Sequence, residues 1–218
     1  MERYFILDQF NTWYDWHLIL EAKDISDADP KTNLVQIDGM SGSLDLSESL
    51  TGEVTYNDRT ISATFWTDYG TRKDRETLLR EITASLHGKK VQIIEPDDPD
   101  HYFYGRIVIK SKTNNLAYMS FTIEATCEPW RYALEETVRT VIVDENTPIS
   151  VIFNNRGVKT LCPQIAVVGN VELVYNGVRY PLTTGTHKVS DIKLKQGVNM
   201  VSVIGDATVI FTYREGDL

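Results

Sequence analysis

Apolar and polar residues alternate with a period of two along much of this 218-residue chain. The clearest example spans residues 59–67, where Ile61, Ala63 and Phe65 fall on one side and mostly polar residues fall on the other. Because successive side chains of a β-strand point to opposite faces of a sheet, this run predicts a half-buried strand. The pattern therefore favours a mainly β fold.

Two longer alternating runs lie at residues 102–110 and 119–127, with a turn predicted at Thr113-Asn114-Asn115. They predict an antiparallel hairpin with one solvent-exposed face. Cys127 lies on the apolar side, so we expect it to be a buried small hydrophobe rather than a reactive thiol. Shorter apolar strands are predicted at Trp16 to Glu21, Leu34 to Ile37 and Leu44 to Ser47.

One segment, residues 71–86, has a helical pattern. Leu79, Ile82 and Leu86 recur at i, i+3 and i+7, and Thr71 with Asp74 resembles a capping box. Gly88 follows at the position typical of a glycine that ends a helix. The exposed face of this helix is predicted to carry charged side chains, namely Arg72, Arg75, Glu76 and Arg80.

The last third of the chain contains short alternating runs at intervals of about eight to twelve residues, a spacing typical of an antiparallel sandwich or jelly roll. Asn176-Gly177 separates two of these runs and predicts a type I′ hairpin turn, because both central residues of that turn need positive φ. The predicted strands are Ser150–Phe153, Gln164–Val168, Glu172–Tyr175, Val178–Leu182, Asn199–Ile204 and Thr208–Tyr213.

Charge divides the chain into two dissimilar parts. Residues 1–137 hold 14 basic and 24 acidic side chains, a net charge of −10, whereas residues 138–218 hold 8 and 7, a net charge of +1. All four tryptophans also precede residue 137. We therefore predict two domains, residues 1–135 and 136–218. The whole-chain net charge of −9 argues against a protein that grips nucleic acid through many phosphates.

The N-terminal residues reach Asp8 before an apolar stretch of signal-peptide length develops, and no run approaches the roughly 18 apolar residues of a membrane span. We expect a protein that is not exported by a standard signal and has no membrane partner. The two cysteines, Cys127 and Cys162, fit neither a disulfide framework nor a four-ligand zinc site.

The residues that usually carry catalysis do not form a recognisable pattern. The four histidines are far apart in the sequence, and no serine lies in a G-x-S-x-G motif. Carboxylate pairs such as Glu95 with Asp97, or Asp45 with Glu48, have no feature beyond proximity, and the calcium-ligand candidates Asp97, Asp98 and Asp100 lack an EF-hand pattern. The sequence therefore predicts no catalytic, cofactor-binding or metal site, and an acidic solvated turn at residues 96–100.

A sandwich in the last third also raises the alternative of a carbohydrate-binding module. Sugar rings usually stack on an exposed aromatic side chain, and residues 138–218 contain no tryptophan. The aromatic candidates there are Tyr175, Tyr180 and Tyr213. A third alternative, a hydrolase, has no nameable acid, nucleophile or metal cluster.

Several short strings, spread along the whole chain in a consistent order, together resemble the distal tail (Dit) proteins of siphophages. These strings are Trp16-His17-Leu18, Pro30, Val35-Gln36-Ile37-Asp38-Gly39, Leu44-Asp45-Leu46-Ser47, Tyr56-Asn57-Asp58-Arg59, Tyr104-Gly105-Arg106, Ala125-Thr126-Cys127-Glu128-Pro129-Trp130-Arg131-Tyr132 and Tyr213-Arg214-Glu215-Gly216-Asp217-Leu218.

The resemblance implies an α+β N-terminal belt domain with one main helix, and a C-terminal galectin-like antiparallel β-sandwich. It also implies a structural protein of the virion, assembled in the bacterial cytoplasm, with no enzymatic activity and no specific nucleic-acid binding. Family members form a hexameric ring that joins the tail tube to the tail tip or baseplate and its receptor-binding proteins, and that lets DNA pass. The chain has no spare length for the long arm or carbohydrate-binding insertion that some relatives carry.

Overall fold

The computed structural model describes residues 4–144 and 147–218, so the first three residues of the N-terminal segment lie outside the described part. The fold is mainly β and its named sheet pairings are antiparallel, as the alternation predicts. The chain divides into two compact units, residues 1–131 with Leu218, and residues 132–217. Their assignment as a belt domain and a galectin-like sandwich stays a prediction.

The first unit is built on one antiparallel sheet with the strand order β2-β1-β7-β8-β9-β6-β3. The outermost strands in this order are short β2 at one end and seven-residue β3 at the other. The strands are β1 (Ile6–Leu7), β2 (Phe10–Asn11), β3 (Ile19–Ile25), β6 (Arg59–Thr67), β7 (Lys90–Glu95), β8 (Asp98–Asn114) and β9 (Met119–Cys127).

The core of this unit confirms the alternation. Ile61, Ala63 and Phe65 of β6 are all buried, and Phe121 and Cys127 of β9 are buried with them. The turn between β8 and β9 comes later than predicted, because β8 pairs as far as Asn114 with Met119. The first apolar strand also comes later, since Trp16 lies in a turn and β3 begins at Ile19.

The single helix, α1 (Arg72–Leu86), confirms the predicted segment and both of its ends. Thr71 and Asp74 form the capping box, and Gly88 follows the helix with φ of +79°. One prediction is wrong, because Arg75 is 2% exposed rather than part of the solvent face. Its side chain donates hydrogen bonds to backbone carbonyls of two loops, the one before α1 and the one between β8 and β9. No helix in the described ranges has the length and apolarity needed to cross a membrane.

Residues 26–58, between β3 and β6, form a hairpin that we call the arm. Its short strands β4 (Leu34–Gln36) and β5 (Ser43–Asp45) pair only with each other, and every residue of both strands is exposed. Gly39 and Gly42 in the tip have φ of +84° and +83°, a backbone region that glycine adopts readily. The arm therefore contributes little to the core of the unit.

The second unit is a single antiparallel sheet around its own core. Strand β15 is its centre: β13 pairs along one edge, and β11 and β12 pair one after the other along the opposite edge. Short β10 (Arg131–Ala133) and β16 (Gly216–Asp217) pair with each other and do not belong to this five-stranded sheet. The sheet strands are β11 (Thr137–Val143), β12 (Ile149–Asn155), β13 (Gln164–Tyr175), β14 (Val178–His187) and β15 (Gly197–Tyr213).

Two long strands replace four of the predicted short ones, so the predicted breaks near residues 169 and 205 are wrong. Gly169 and Gly205 interrupt the alternation without ending β13 or β15. A Cβ at Gly169 would lie 2.3 Å from the Asp206 carbonyl oxygen, and one at Gly205 would lie 2.4 Å from the Asn170 carbonyl oxygen. The two glycines thus let adjacent strands approach closely at an irregularity in β13.

The hairpin turn between β13 and β14 has the predicted conformation. Asn176 and Gly177 have φ of +50° and +79°. Strand β11, which the sequence reasoning did not include, pairs along its whole length with the second half of β15.

Candidate functional site

Three of the four carboxylates that the sequence offered for catalysis, Glu95, Asp97 and Asp45, make structural contacts. Glu95 and Asp97 both form ion pairs with Lys23, and the distance from Lys23 Nζ to Asp97 Oδ2 is 2.8 Å. Partial burial lowers the pKa of Lys23, but hydrogen bonds to Asp97 and Glu95 outweigh this effect and raise the pKa overall. Both carboxylates therefore share one cation.

Asp45, the other candidate of this kind, closes a local turn in the arm. Its Oδ1 accepts hydrogen bonds from the Ser47 hydroxyl at 2.5 Å and from the Ser47 backbone N–H at 2.9 Å. These two bonds lower the pKa of Asp45, so this carboxyl is a poor proton donor near neutral pH.

Asp98, another of the candidate calcium ligands, is also paired within the protein. Asp98 Oδ2 lies 2.9 Å from Arg131 Nη1, and Asp98 Oδ1 lies 2.8 Å from His101 Nδ1. The predicted solvated turn is shorter than expected, because β8 begins at Asp98 and only Pro96 and Asp97 form the turn. Across residues 4–144 and 147–218, no group of three or more histidine, cysteine or acidic side chains is placed to hold a metal ion.

The histidines and cysteines have separate environments. His17 packs on Tyr69 at 4.3 Å between ring centroids, and His87 Nδ1 accepts a hydrogen bond from the Ile109 N–H. Cys127 is buried, and its burial raises the pKa of the thiol to about 12. A thiol with this pKa is almost entirely protonated at neutral pH, so it is a weak nucleophile.

The tyrosines considered as a sugar platform pack against the second core. Tyr175 and Tyr213 are each 7% exposed, and Tyr180 is partly buried against the same core. Tyr213 contacts the ring of Phe153, with 6.0 Å between ring centroids. These rings are therefore occupied by protein contacts.

The most distinctive surface feature of the first unit is the arm. Every residue from 29 to 45 is exposed. The arm also displays seven large apolar side chains that are at least 39% exposed: Leu34, Val35, Ile37, Met40, Leu44, Leu50 and Val54. An accumulation of exposed apolar side chains on one element is typical of an interaction surface.

Internal hydrogen bonds hold the arm in shape. At its base the Asn57 N–H donates to the Asp29 carbonyl, and further out the Leu46 N–H donates to the Asn33 carbonyl. The ring of Tyr56 meets the ring of Trp130 edge to face, with 5.4 Å between centroids. The arm is thus a preformed ladder joined to the first unit at its base.

A second exposed apolar surface lies on two loops at the other end of the sheet. We call it the loop-end patch; it comprises Tyr69, Leu116 and Tyr118, which are 61%, 87% and 41% exposed. Tyr69 lies in the loop between β6 and α1, and the other two lie in the turn between β8 and β9.

Arg75 joins these two loops. Its Nη1 donates to the carbonyl oxygen of Gly70 at 2.9 Å, and its Nη2 donates to the carbonyl oxygens of Asn115 and Leu116 at 2.9 and 3.1 Å. The Asn115 side chain accepts hydrogen bonds from the N–H groups of Ala117 and Tyr118, which closes the turn. The patch is therefore held rigidly although it is exposed.

Sequence reasoning missed both surfaces. It interpreted Leu34–Ile37 and Leu44–Ser47 as ordinary strands, because the sequence pattern of an apolar strand does not show whether its side chains are buried or exposed. One available indication was the acidity of the arm, in which seven carboxylates accompany a single lysine, Lys31. Such a surplus is unusual for a hairpin that packs into a core.

Comparison with known proteins identifies the fold. No protein-family model matches the sequence, and no curated protein matches it. Among solved structures, the chain is similar to SPP1 Dit (gp 19.1), described as a paradigm of the hub adsorption apparatus in phages that infect Gram-positive bacteria. The similarity covers 99% of both chains with a TM-score of 0.71, at 18% sequence identity.

The chain has the fold of a Dit protein. This result confirms the fold that the sequence resemblance implied, over both units rather than one.

Proposed function

We propose that this protein is a distal tail protein of a siphophage or a related tail structure. In this role it forms a hexameric ring that joins the tail tube to the tip or baseplate and to receptor-binding proteins, without catalysing a reaction. The observation that carries the proposal is the similarity of fold to SPP1 Dit along the whole chain. The exposed apolar arm supports it, because such a surface suits a subunit of an assembly.

The charge of the first unit supports passage of DNA through the ring. Residues 1–131 of this unit hold 14 basic and 22 acidic side chains, a net charge of −8. Acidic side chains facing a central channel would repel phosphates and prevent the duplex from adhering to the wall. The proposed ring therefore conducts DNA and does not bind a specific nucleic-acid sequence.

Light scattering over a protein concentration series, combined with negative-stain images, tests this function. We expect a species near six times the 24.8 kDa chain mass, seen as a ring with a central hole. A chain that stays monomeric and also binds purified cell-wall glycan would contradict the proposal, and would favour the carbohydrate-binding alternative. Release of soluble fragments from cell wall would instead indicate a hydrolase.

A further inference from the structure

We propose that Arg59 and Arg131 form a binding site for a carboxylate group, next to the base of the arm. The inference goes beyond the proposed function and does not rest on it. It is carried by two arginine side chains of the first unit, each of which buries an Nε–H donor that has no acceptor in the described part of the chain.

Arg59 is an almost fully buried cation without a charged partner. The residue is 6% exposed, and its guanidinium lies over the ring of Phe103, 5.3 Å from the ring centroid. Within residues 4–144 and 147–218, no acceptor meets its Nε–H. The other buried arginine, Arg75, differs in this respect because its guanidinium donates five hydrogen bonds. A buried donor without a partner is rare in native proteins, and it calls for an acceptor from outside the chain.

The sheet holds Arg59 in a fixed place beside the arm. Arg59 is the first residue of β6 and pairs with Cys127 at the end of β9. Next to it, Thr60 and Ser26 exchange two hydrogen bonds: the Ser26 N–H donates to the Thr60 carbonyl, and the Thr60 N–H donates to the Ser26 hydroxyl. Asp27 follows Ser26 and is exposed. The arginine is therefore positioned before any ligand arrives.

Arg131 supplies the second unused donor. Its Nη1 lies 2.9 Å from Asp98 Oδ2, and Asp98 Oδ1 lies 2.8 Å from His101 Nδ1. The Nε of Arg131 is buried and has no acceptor among the residues that the structure describes. The ion pair with Asp98 thus orients this guanidinium and leaves its Nε–H available to a ligand.

The charges around Arg59 indicate that the two arginines are neighbours. Burial lowers the pKa of Arg59; the charge of Asp27 opposes this effect, and the charge of Arg131 adds to it. Asp27 is near enough to influence the pKa, yet it forms no ion pair with Arg59 in the described structure. An anion in contact with both guanidinium groups would accept from both Nε–H donors and offset their mutual repulsion.

The arrangement favours a carboxylate over a phosphate. A carboxylate is planar, and its two oxygens accept parallel hydrogen bonds from one edge of a guanidinium. Two carboxylates, Asp27 and Asp98, already accompany the two arginines, so these four groups have a net charge of zero. A phosphate that carries nearly two negative charges would meet stronger repulsion there than a singly charged carboxylate. The ligand class is therefore a carboxylate, carried by another protein or by a small free anion.

NMR of the arginine Nε–H groups tests the site in the full chain labelled with nitrogen-15. Sodium acetate is the probe, sodium chloride at the same ionic strength is the control, and Arg59→Lys and Arg131→Lys assign the two signals. We expect acetate to shift both signals with one dissociation constant, and chloride to leave them unchanged. Absence of a shift with acetate would show that water satisfies the donors, which overturns the inference. Tighter binding of inorganic phosphate than of acetate would overturn the choice of a carboxylate.

Thermal unfolding separates a ligand site from a purely structural arginine. Acetate should raise the unfolding midpoint of the wild type by about 3 °C relative to chloride, and should not raise that of Arg59→Met. In chloride, Arg59→Met should unfold no earlier than the wild type, because it removes an unpaired buried charge. Arg80→Met, whose side chain is 78% exposed, loses the same charge and should keep the full response to acetate.

Two results of this experiment would overturn the inference. One is an equal response to acetate in Arg59→Met and the wild type, and the other is a large loss of stability of Arg59→Met in both salts. If the methionine variant does not fold, Arg59→Lys takes its place, since it keeps the charge but lacks the Nε–H. We expect the lysine variant to lose the response to acetate as well.

A short peptide identifies the source of the carboxylate. N-acetyl-Ala-Glu-Ala-amide presents an acidic side chain on a polypeptide, whereas acetate presents the group alone. Binding of the peptide about tenfold more tightly than acetate would assign the site to a carboxylate of another protein, and equal affinities would assign it to a small free anion. Failure of both probes overturns the inference, and it leaves the proposed function standing because ring formation is measured separately by light scattering.

Discussion

Arg75 is a buried cation whose partners are uncharged. Five of its hydrogen bonds go to oxygens of Asp68, Gly70, Asn114, Asn115 and Leu116, and none of these acceptors is a carboxylate. The planar guanidinium carries several N–H donors in a fixed fork, so it can donate to acceptors in two loops at once. The compact ammonium group of a lysine cannot reach both loops with this geometry. The residue therefore links the start of α1 to the turn between β8 and β9.

Replacement of this residue, Arg75→Met, is expected to lower the free energy of unfolding by about 3 kcal/mol. The loss arises because several partly buried carbonyl oxygens lose a charged donor. Urea denaturation measures it. Arg72→Met, on the exposed side of the same helix, is the matched control and should change the free energy by no more than about 0.5 kcal/mol. A similar small effect for Arg75→Met would show that water satisfies the carbonyls equally well.

Cys127 makes stability depend on alkaline pH. Burial raises its pKa from 9.0 to about 12, so above pH 9 the unfolded chain loses this proton while the folded chain retains it. Stability should then fall as pH rises, with a contribution of about 1.4 kcal/mol per pH unit between these two pKa values.

Chemical denaturation of wild type and Cys127→Ala at pH 8 and pH 10.5 measures this contribution. The wild type should lose about 2 kcal/mol more than the variant between the two pH values. Equal losses in the two proteins would mean that the buried thiol ionises as readily in the folded state as in the unfolded one.

Among the elements, those with a strong local pattern were predictable. The capping box of Thr71 and Asp74 determines where α1 begins, and the alternation in residues 59–67 determines which face of β6 is buried. The continuous strands β13 and β15 were not predictable, because a glycine in a strand looks the same as a glycine in a turn. Only the partner strand shows that Gly169 and Gly205 permit close approach.

Gly205→Ala should destabilise the second unit strongly. The new Cβ would meet the Asn170 carbonyl oxygen at 2.4 Å, and the backbone φ of +139° is itself unfavourable for alanine. We expect a loss of about 3 kcal/mol or more, measured by denaturation followed by circular dichroism.

Gly177→Ala is the matched control for Gly205→Ala. Its φ of +79° is also unfavourable for alanine, but no atom lies within 4 Å of the added Cβ. A loss of about 1 to 2 kcal/mol is expected there. Equal effects at the two positions would show that backbone conformation alone, and not the close approach of the strands, determines the cost.

At the scale of the whole molecule, assembly and folding are expected to depend on different residues. A variant in which residues 31–55 are replaced by Asn-Gly removes the exposed part of the arm but keeps Tyr56 and Trp130. Because residues 29–45 are all exposed, the midpoint of thermal unfolding should change by only a few degrees. Differential scanning calorimetry measures the midpoint, and light scattering should show that the variant no longer self-associates.

A large drop in the unfolding midpoint of this shortened chain would contradict the view of the arm as an assembly element. It would show instead that the arm contributes to the stability of the first unit. Gly39→Ala is a second variant of the arm, to be compared with the shortened chain. It changes only the tip, and the added Cβ would have no atom within 4 Å.

The whole-chain architecture was predictable mainly from the resemblance to Dit proteins, and the mainly β class from alternation alone. The loop-end patch was not predictable, since Leu116 gives no sign in the sequence that it is 87% exposed. Its backbone carbonyl accepts a hydrogen bond from Arg75, which lies 41 residues away in the chain. Contacts of this kind depend on topology and therefore require the structure.

The seven carboxylates of the arm have a consequence for the free protein. Before assembly, an apolar hairpin with exposed backbone could pair with another copy of itself, as exposed edge strands do in aggregation. With a net charge of −6 on each arm, two arms repel each other. The seven carboxylates thus keep the arms of newly made chains from sticking to one another.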